Sequence, residues 1–131
     1  MKSLDTSVIN QCLALAMEDK ITFVETVVTL RSIEVGRYNV DLVGRTGTYY
    51  STAGEVYSLR RRQEHSAIVT EEFNDAGVAQ AVREIKKKQI GYREFLQRIM
   101  NAGTVSYSVY LTGGRAIYFG RQGDYHVEEF S

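Results

Sequence analysis

The C-terminal segment "DYHVEE", residues 124–129, holds the best acid–base cluster of the chain: His126 with Asp124, Glu128 and Glu129. Side chains alternate along an extended segment, so His126 and Glu128 share a face. A histidine beside a carboxylate can act as a general base or hold a metal weakly. No nucleophile or oxyanion donor accompanies the pair, so the segment reads first as a solvated terminal strand. Cys12 is the single cysteine and the one thiol candidate. It lies at helical spacing with Ile9, Leu13 and Ala16, where a small buried core residue is expected rather than a nucleophile. The glycines of "GGR" at 113–115 and "GRQGD" at 120–124 suggest a phosphate loop. Neither has dinucleotide or Walker spacing and neither opens a helix after a strand, so both read as turns. Arg60, Arg61 and Arg62, near Tyr57, form the densest basic run, followed by Lys86, Lys87 and Lys88. Strand alternation would split the arginines between two faces, and Glu71-Glu72 and Glu128-Glu129 offset them, which disfavours nucleic acid as a partner.

The chain that positions these groups has 131 residues. That length predicts a single domain over 1–131, large enough to need no disulfide or metal staple. One cysteine excludes an intrachain disulfide, and with His65 and His126 as the two histidines no metal or other cofactor is expected. Lys plus Arg number 16 and Asp plus Glu number 16, so no net field draws in a polyanion. The longest apolar run near the start, Cys12 to Met17, is too short for a signal h-region or a membrane span. A cytoplasmic protein without membrane contact is the expectation.

A shift of the chain against itself by 69 residues reveals its organisation. Ile21 falls on Ile90, Glu25 on Glu94, Tyr38 on Tyr107, Val40 on Val109, Leu42 on Leu111, Gly44 on Gly113, Tyr49 on Tyr118 and Gly54 on Gly123. The spacing predicts an internal repeat over about 5–55 and 74–124, each unit reading helix, helix, strand, strand. The first helix is expected from Asp5 to Asp19, and its mate opens at Asn74 or Asp75, either of which can cap it. Thr22 and Glu25 form a capping-box pattern for the second helix, and Gly103 suits the end of its mate. Two-residue turns at Gly44-Arg45 and Gly113-Gly114 would pair Leu111 with Ala116 and Val109 with Tyr118. "VYSLRRR", "AIVTEEF" and "YHVEEF" are further candidate strands. The expected class is α+β: two tandem helix-helix-hairpin units making one antiparallel sheet, with helices mainly on one face.

With "KKKQIGYREFLQRIMNAGTVSYSVYLTG" at 86–113, "YFGRQGDYHVEEF" at 118–130 and "RYNVDLV" at 37–43 in view, the chain resembles a small bacterial family of unknown function. The family is domain of unknown function 1398, some members of which carry the name phage envelope protein. The resemblance covers nearly the whole chain. It implies a prophage association and brings no catalytic residues.

Two function classes follow. The favoured one is a non-catalytic interaction module that binds itself or another protein. The copies agree on one hairpin face and differ on the other: Asn39, Asp41, Thr48 and Tyr50 in the first become Ser108, Tyr110, Ile117 and Phe119 in the second. Tyr110 is expected opposite Ile117, and Ser108 opposite Phe119. Such a patch must be covered, either by 56–73 or the C-terminal strand folding over it, or by a second copy in a homodimer. Tyr110, Ile117 and Phe119 therefore mark the expected interaction surface. The alternative is a small-molecule binder or enzyme with a pocket near Tyr118, Arg121, His126 and Glu128.

Overall fold

The computed structural model describes residues 3–61 and 68–130. Among them, helices and strands come in two sets of the same order. The first is α1 (Thr6–Met17), α2 (Phe23–Ser32), β1 (Val35–Asp41), β2 (Thr46–Ser51) and β3 (Val56–Arg60). The second is α3 (Asp75–Lys86), α4 (Tyr92–Asn101), β4 (Thr104–Tyr110), β5 (Arg115–Gly120) and β6 (Tyr125–Glu129). Thr6 and Asp75, the starts of the first pair, lie 69 residues apart, as do Val56 and Tyr125, the starts of the last. The strands form one antiparallel sheet in the order β3-β2-β1-β4-β5-β6. The helices cover one face: α2 packs on β1, α4 on β4 and α3 on β6. This is the α+β architecture that the periodicity predicts, with a third strand added to each hairpin.

Local chemistry explains the element ends. Asp5 caps α1 by accepting from the Val8 N–H at 3.2 Å, which moves the helix start to Thr6. Thr22 and Glu25 form the capping box of α2, with bonds of 3.1 and 2.9 Å. Asn74, rather than Asp75, caps α3 through the Gly77 N–H at 3.0 Å. Among the described residues eight have a positive φ, and they fall into four pairs 69 residues apart: Asp19 and Lys88, Glu34 and Gly103, Arg45 and Gly114, Gly54 and Gly123. The turns of the two sets therefore share a backbone conformation even where a side chain stands in place of glycine.

The two sets meet in the ladder between β1 and β4. Asn39 pairs with Ser108, its own counterpart, while Tyr38 faces Val109 and Val40 faces Tyr107. Exchanging the roles of the two strands leaves this register unchanged. The ladder extends at both ends through the Leu42 N–H to the Val105 carbonyl and the Leu111 N–H to the Gly36 carbonyl, both 2.9 Å. The core face carries Tyr38, Val40, Leu42 and Tyr49 beside Tyr107, Val109, Leu111, Ala116 and Tyr118, all buried.

Three expectations are corrected. The hairpin loops span four residues, since Asp41 pairs with Thr46 and Tyr110 with Arg115. Val109 therefore faces Ala116 and Tyr107 faces Tyr118. The left-handed residues are Arg45 and Gly114, at the last loop position, and the leucines expected to pair within their hairpins bond across the central ladder instead. Residues 68–73 of "AIVTEEF" form no strand. Their backbone runs along the end of α4, with the Thr70 N–H on the Met100 carbonyl at 3.0 Å, while Ala67 lies outside the described residues.

Candidate interaction face and the buried arginine beneath it

Strand alternation leaves one sheet face without helices, and its two halves differ. The β1–β3 half is mainly polar, with Tyr50 paired to the exposed Val56 as its apolar exception. The Thr48 and Ser58 hydroxyls bond at 3.1 Å, and Asn39 Nδ2 donates to Ser108 Oγ at 2.9 Å across the central ladder. The β5–β6 half is apolar: Ile117 pairs with Val127, and Phe119 with Tyr125. Tyr125 is 65% exposed and Val127 37%. The expected internal cover is absent among the described residues, because 56–60 and 125–129 extend the sheet as edge strands rather than folding across it. The cross-strand partners also differ from expectation. Ile117 sits opposite Ser108 and Phe119 opposite Ser106, while Tyr110 lies between Arg37 and Arg115.

Beneath the sheet lies a layer of tyrosines. Tyr38 stacks on Tyr49 with ring centres 5.1 Å apart, and Tyr107 lies 5.5 Å from Tyr118. Burial pushes the phenols of Tyr38, Tyr49, Tyr107 and Tyr118 above their ordinary value, so they stay neutral. Arg61 enters this layer from the end of β3. Its N–H bonds the Arg45 carbonyl at 2.8 Å, and its stem crosses Gly47, where a Cβ would stand 3.3 Å from Arg61 Cδ. Arg61 Nη2 donates to the Tyr92 hydroxyl at 2.7 Å, and that hydroxyl bonds to the one on Tyr107. Arg61 is 9% exposed. Burial works against its charge, but the Tyr92 and Tyr107 oxygens outweigh it and hold the guanidinium above its ordinary pKa. The counterpart of Arg61 is Phe130, whose N–H bonds the Gly114 carbonyl at 2.8 Å and whose ring meets Phe23 edge-on at 5.1 Å. Phe23 is in turn the counterpart of Tyr92. One end of the molecule thus carries an apolar pair where the other carries a charged, hydroxyl-bonded one. Sequence reasoning missed Arg61 by treating it as part of a solvated basic run, although the 69-residue step aligns it with an aromatic. Arg62 and His65 lie outside the described residues.

His126 is held on both sides. Nδ1 meets Asp75 Oδ1 at the start of α3, and Nε2 meets Glu128 Oε1 at 3.0 Å. Burial opposes the imidazolium, but the hydrogen bonds to Glu128 and Asp75 outweigh it and raise the pKa above its ordinary value. Both ring nitrogens are engaged, so the arrangement ties β6 to α3 and leaves no basic lone pair for a substrate. Tyr118 is buried with its ring 6.4 Å from that of His126. Arg121 is exposed and donates to the Val69 carbonyl at 3.1 Å. Tyr118, Arg121, His126 and Glu128 therefore share no common polar target. Cys12 is 5% exposed, and burial raises its thiol pKa. Among the described residues no group of three or more His, Cys, Asp or Glu is placed to hold a metal, and no helix is long and apolar enough to cross a membrane.

A family model described as a protein of unknown function (DUF1398) matches residues 16–129. No curated protein matches the chain.

Proposed function

The chain belongs to the DUF1398 family, and we propose that it is a non-catalytic interaction module whose open sheet face docks a second copy of itself. The observation that supports this is the apolar quartet Ile117, Phe119, Tyr125 and Val127, left uncovered by its own chain. A two-fold axis through that quartet sets apolar side chains against the same side chains, with the hydroxyl-rich half of each face at the rim. Facing sheets of this kind pack about 10 Å apart, a distance that interdigitated side chains of this size fill. We also read the two sets of elements as copies of one ancestral unit, supported by the common 69-residue step. A cytoplasmic setting accords with the buried Cys12 thiol. A prophage association rests on the name carried by members of the family that the chain resembles. The test is the solution mass, by sedimentation equilibrium, of the wild type, Ile117→Asp and Phe119→Asp. A dimeric wild type and monomeric variants with an unchanged circular dichroism spectrum are expected. A wild type that stays monomeric at its highest soluble concentration overturns the proposal.

A further inference from the structure

At one end of the central ladder the open face carries a shallow, wide-open basin of about 440 Å³, bordered by Arg37, Tyr50, Tyr110, Arg115 and Ile117. The Arg37 guanidinium carbon stands 3.6 Å from the centre of the Tyr50 ring, a stacked cation–π contact. Among the described residues, no carboxylate lies within ion-pair distance of Arg37. Arg115 pairs with Glu129 at 3.4 Å, but both side chains are substantially exposed, at 48% and 66%. Such a surface pair is weak and yields to a better-placed anion. A β-bulge at Gly36, between Val35 and Arg37, borders the basin, and bulges re-aim the side chains beside them.

The other end of the ladder supplies an internal control. There Ser106, Phe119, Asp41 and Thr46 stand as the counterparts of Arg37, Tyr50, Tyr110 and Arg115. That end has a carboxylate and no arginine among these positions. Two equivalent places on one sheet have thus taken opposite character, and only one combines cations with rings and an aliphatic wall.

We propose that the basin binds a small anion carrying a flat ring, an aromatic carboxylate. The ring packs against Tyr110 and Ile117 beside the Arg37–Tyr50 stack, and the carboxylate takes N–H groups from Arg37, whose planar fork matches its geometry, with Arg115 on the far wall adding positive charge. The basin is complete within one chain, so the proposal does not depend on self-association, but Ile117 belongs to both the basin and the docking quartet, so a bound ring and a docked copy compete for it.

The test titrates benzoate into the full chain, followed by NMR shift changes. Acetate supplies the charge without the ring, and benzyl alcohol the ring without the charge. Saturable benzoate binding at least about 10-fold tighter than either control is expected. Arg37→Gln should weaken it by about 10-fold or more. Arg37→Lys, which keeps the charge but not the planar stack, should fall between Arg37→Gln and wild type. Binding no tighter than acetate, binding unchanged in both Arg37 variants, or no saturable binding by a folded wild type overturns the proposal. The solution mass, recorded with and without benzoate, separates this result from the fate of the dimer.

Discussion

Gly103 ends α4 with φ +90°, and a Cβ built there would stand 2.8 Å from Phe73 Cα and 2.9 Å from the Glu72 carbonyl carbon, with the Glu72 oxygen nearer still. All three are backbone atoms, so no rotamer change relieves the contact. Gly123 has almost the same φ, +88°, with nothing within 4 Å of its notional Cβ. The two glycines therefore separate conformational strain from crowding. The left-handed conformation costs a side-chain-bearing residue about 1–2 kcal/mol, partly offset by about 0.4–1 kcal/mol from the stiffer unfolded chain. Gly123→Ala should thus lose about 1.6 kcal/mol or less. Gly103→Ala carries the same strain plus the overpacking penalty of about 1–3 kcal/mol, for a loss of about 1–5 kcal/mol. That is a large share of the roughly 5–15 kcal/mol that keeps a domain folded. Urea denaturation measures both variants, with the slope checked so that a shifted midpoint reports stability. The exposed Glu34, counterpart of Gly103 at φ +67°, shows that this backbone accepts a Cβ where no neighbouring strand of chain crowds it. Equal losses for Gly103→Ala and Gly123→Ala would refute the steric reasoning.

Tyr92→Phe removes the oxygen that accepts from Arg61 and bonds Tyr107, and should cost about 1–3 kcal/mol. The same change in an Arg61→Leu background should cost less, and a double-mutant cycle that proves additive would show the pair to be uncoupled. His126 has a raised pKa in the fold, so the stabilisation from its charged ring is fully present below the unfolded value near 6.5 and is lost as pH rises through the higher folded value. The stability gap between wild type and His126→Gln should therefore be widest at acid pH and shrink as pH rises above the unfolded value near 6.5 and through the higher folded one. A gap that is flat or widens with pH contradicts this.

The core face was legible because side-chain direction along a strand has period two. The expected pairing of Leu111 with Ala116 was displaced by two residues from the observed Val109–Ala116 pair, and a displacement of two keeps every side chain on its face. Loop length was not legible, because Arg45 adopts the left-handed conformation that the adjacent Gly44 was expected to supply. "AIVTEEF" reads as a strand from its β-branched Ile68, Val69 and Thr70, but the Thr70 N–H bonds the Met100 carbonyl at the end of α4, a tertiary choice with no local signature. His126 and Glu128 could be joined by alternation alone, whereas Asp75 reaches them only through the packing of α3 on β6. The basin escaped notice for the same reason: Arg37 and Tyr110 become neighbours through the register of a ladder between distant strands.

That central ladder also bears on how molecules of this chain can become entangled. It is the one strand pairing, among the described residues, that joins the two sets of elements. If it opens, β1 becomes an edge of seven residues with Tyr38 and Val40 on one face, and β4 of another molecule offers the same bonds in the same register. Exchange of halves between chains then needs no new contact, only concentration, which is the condition for domain swapping. A swapped assembly preserves the tyrosine layer and the His126 tie and leaves the open faces bare. It would form after partial unfolding at high protein concentration, and it would persist in an Ile117→Asp variant, because backbone hydrogen bonds of the ladder rather than the apolar quartet hold it together.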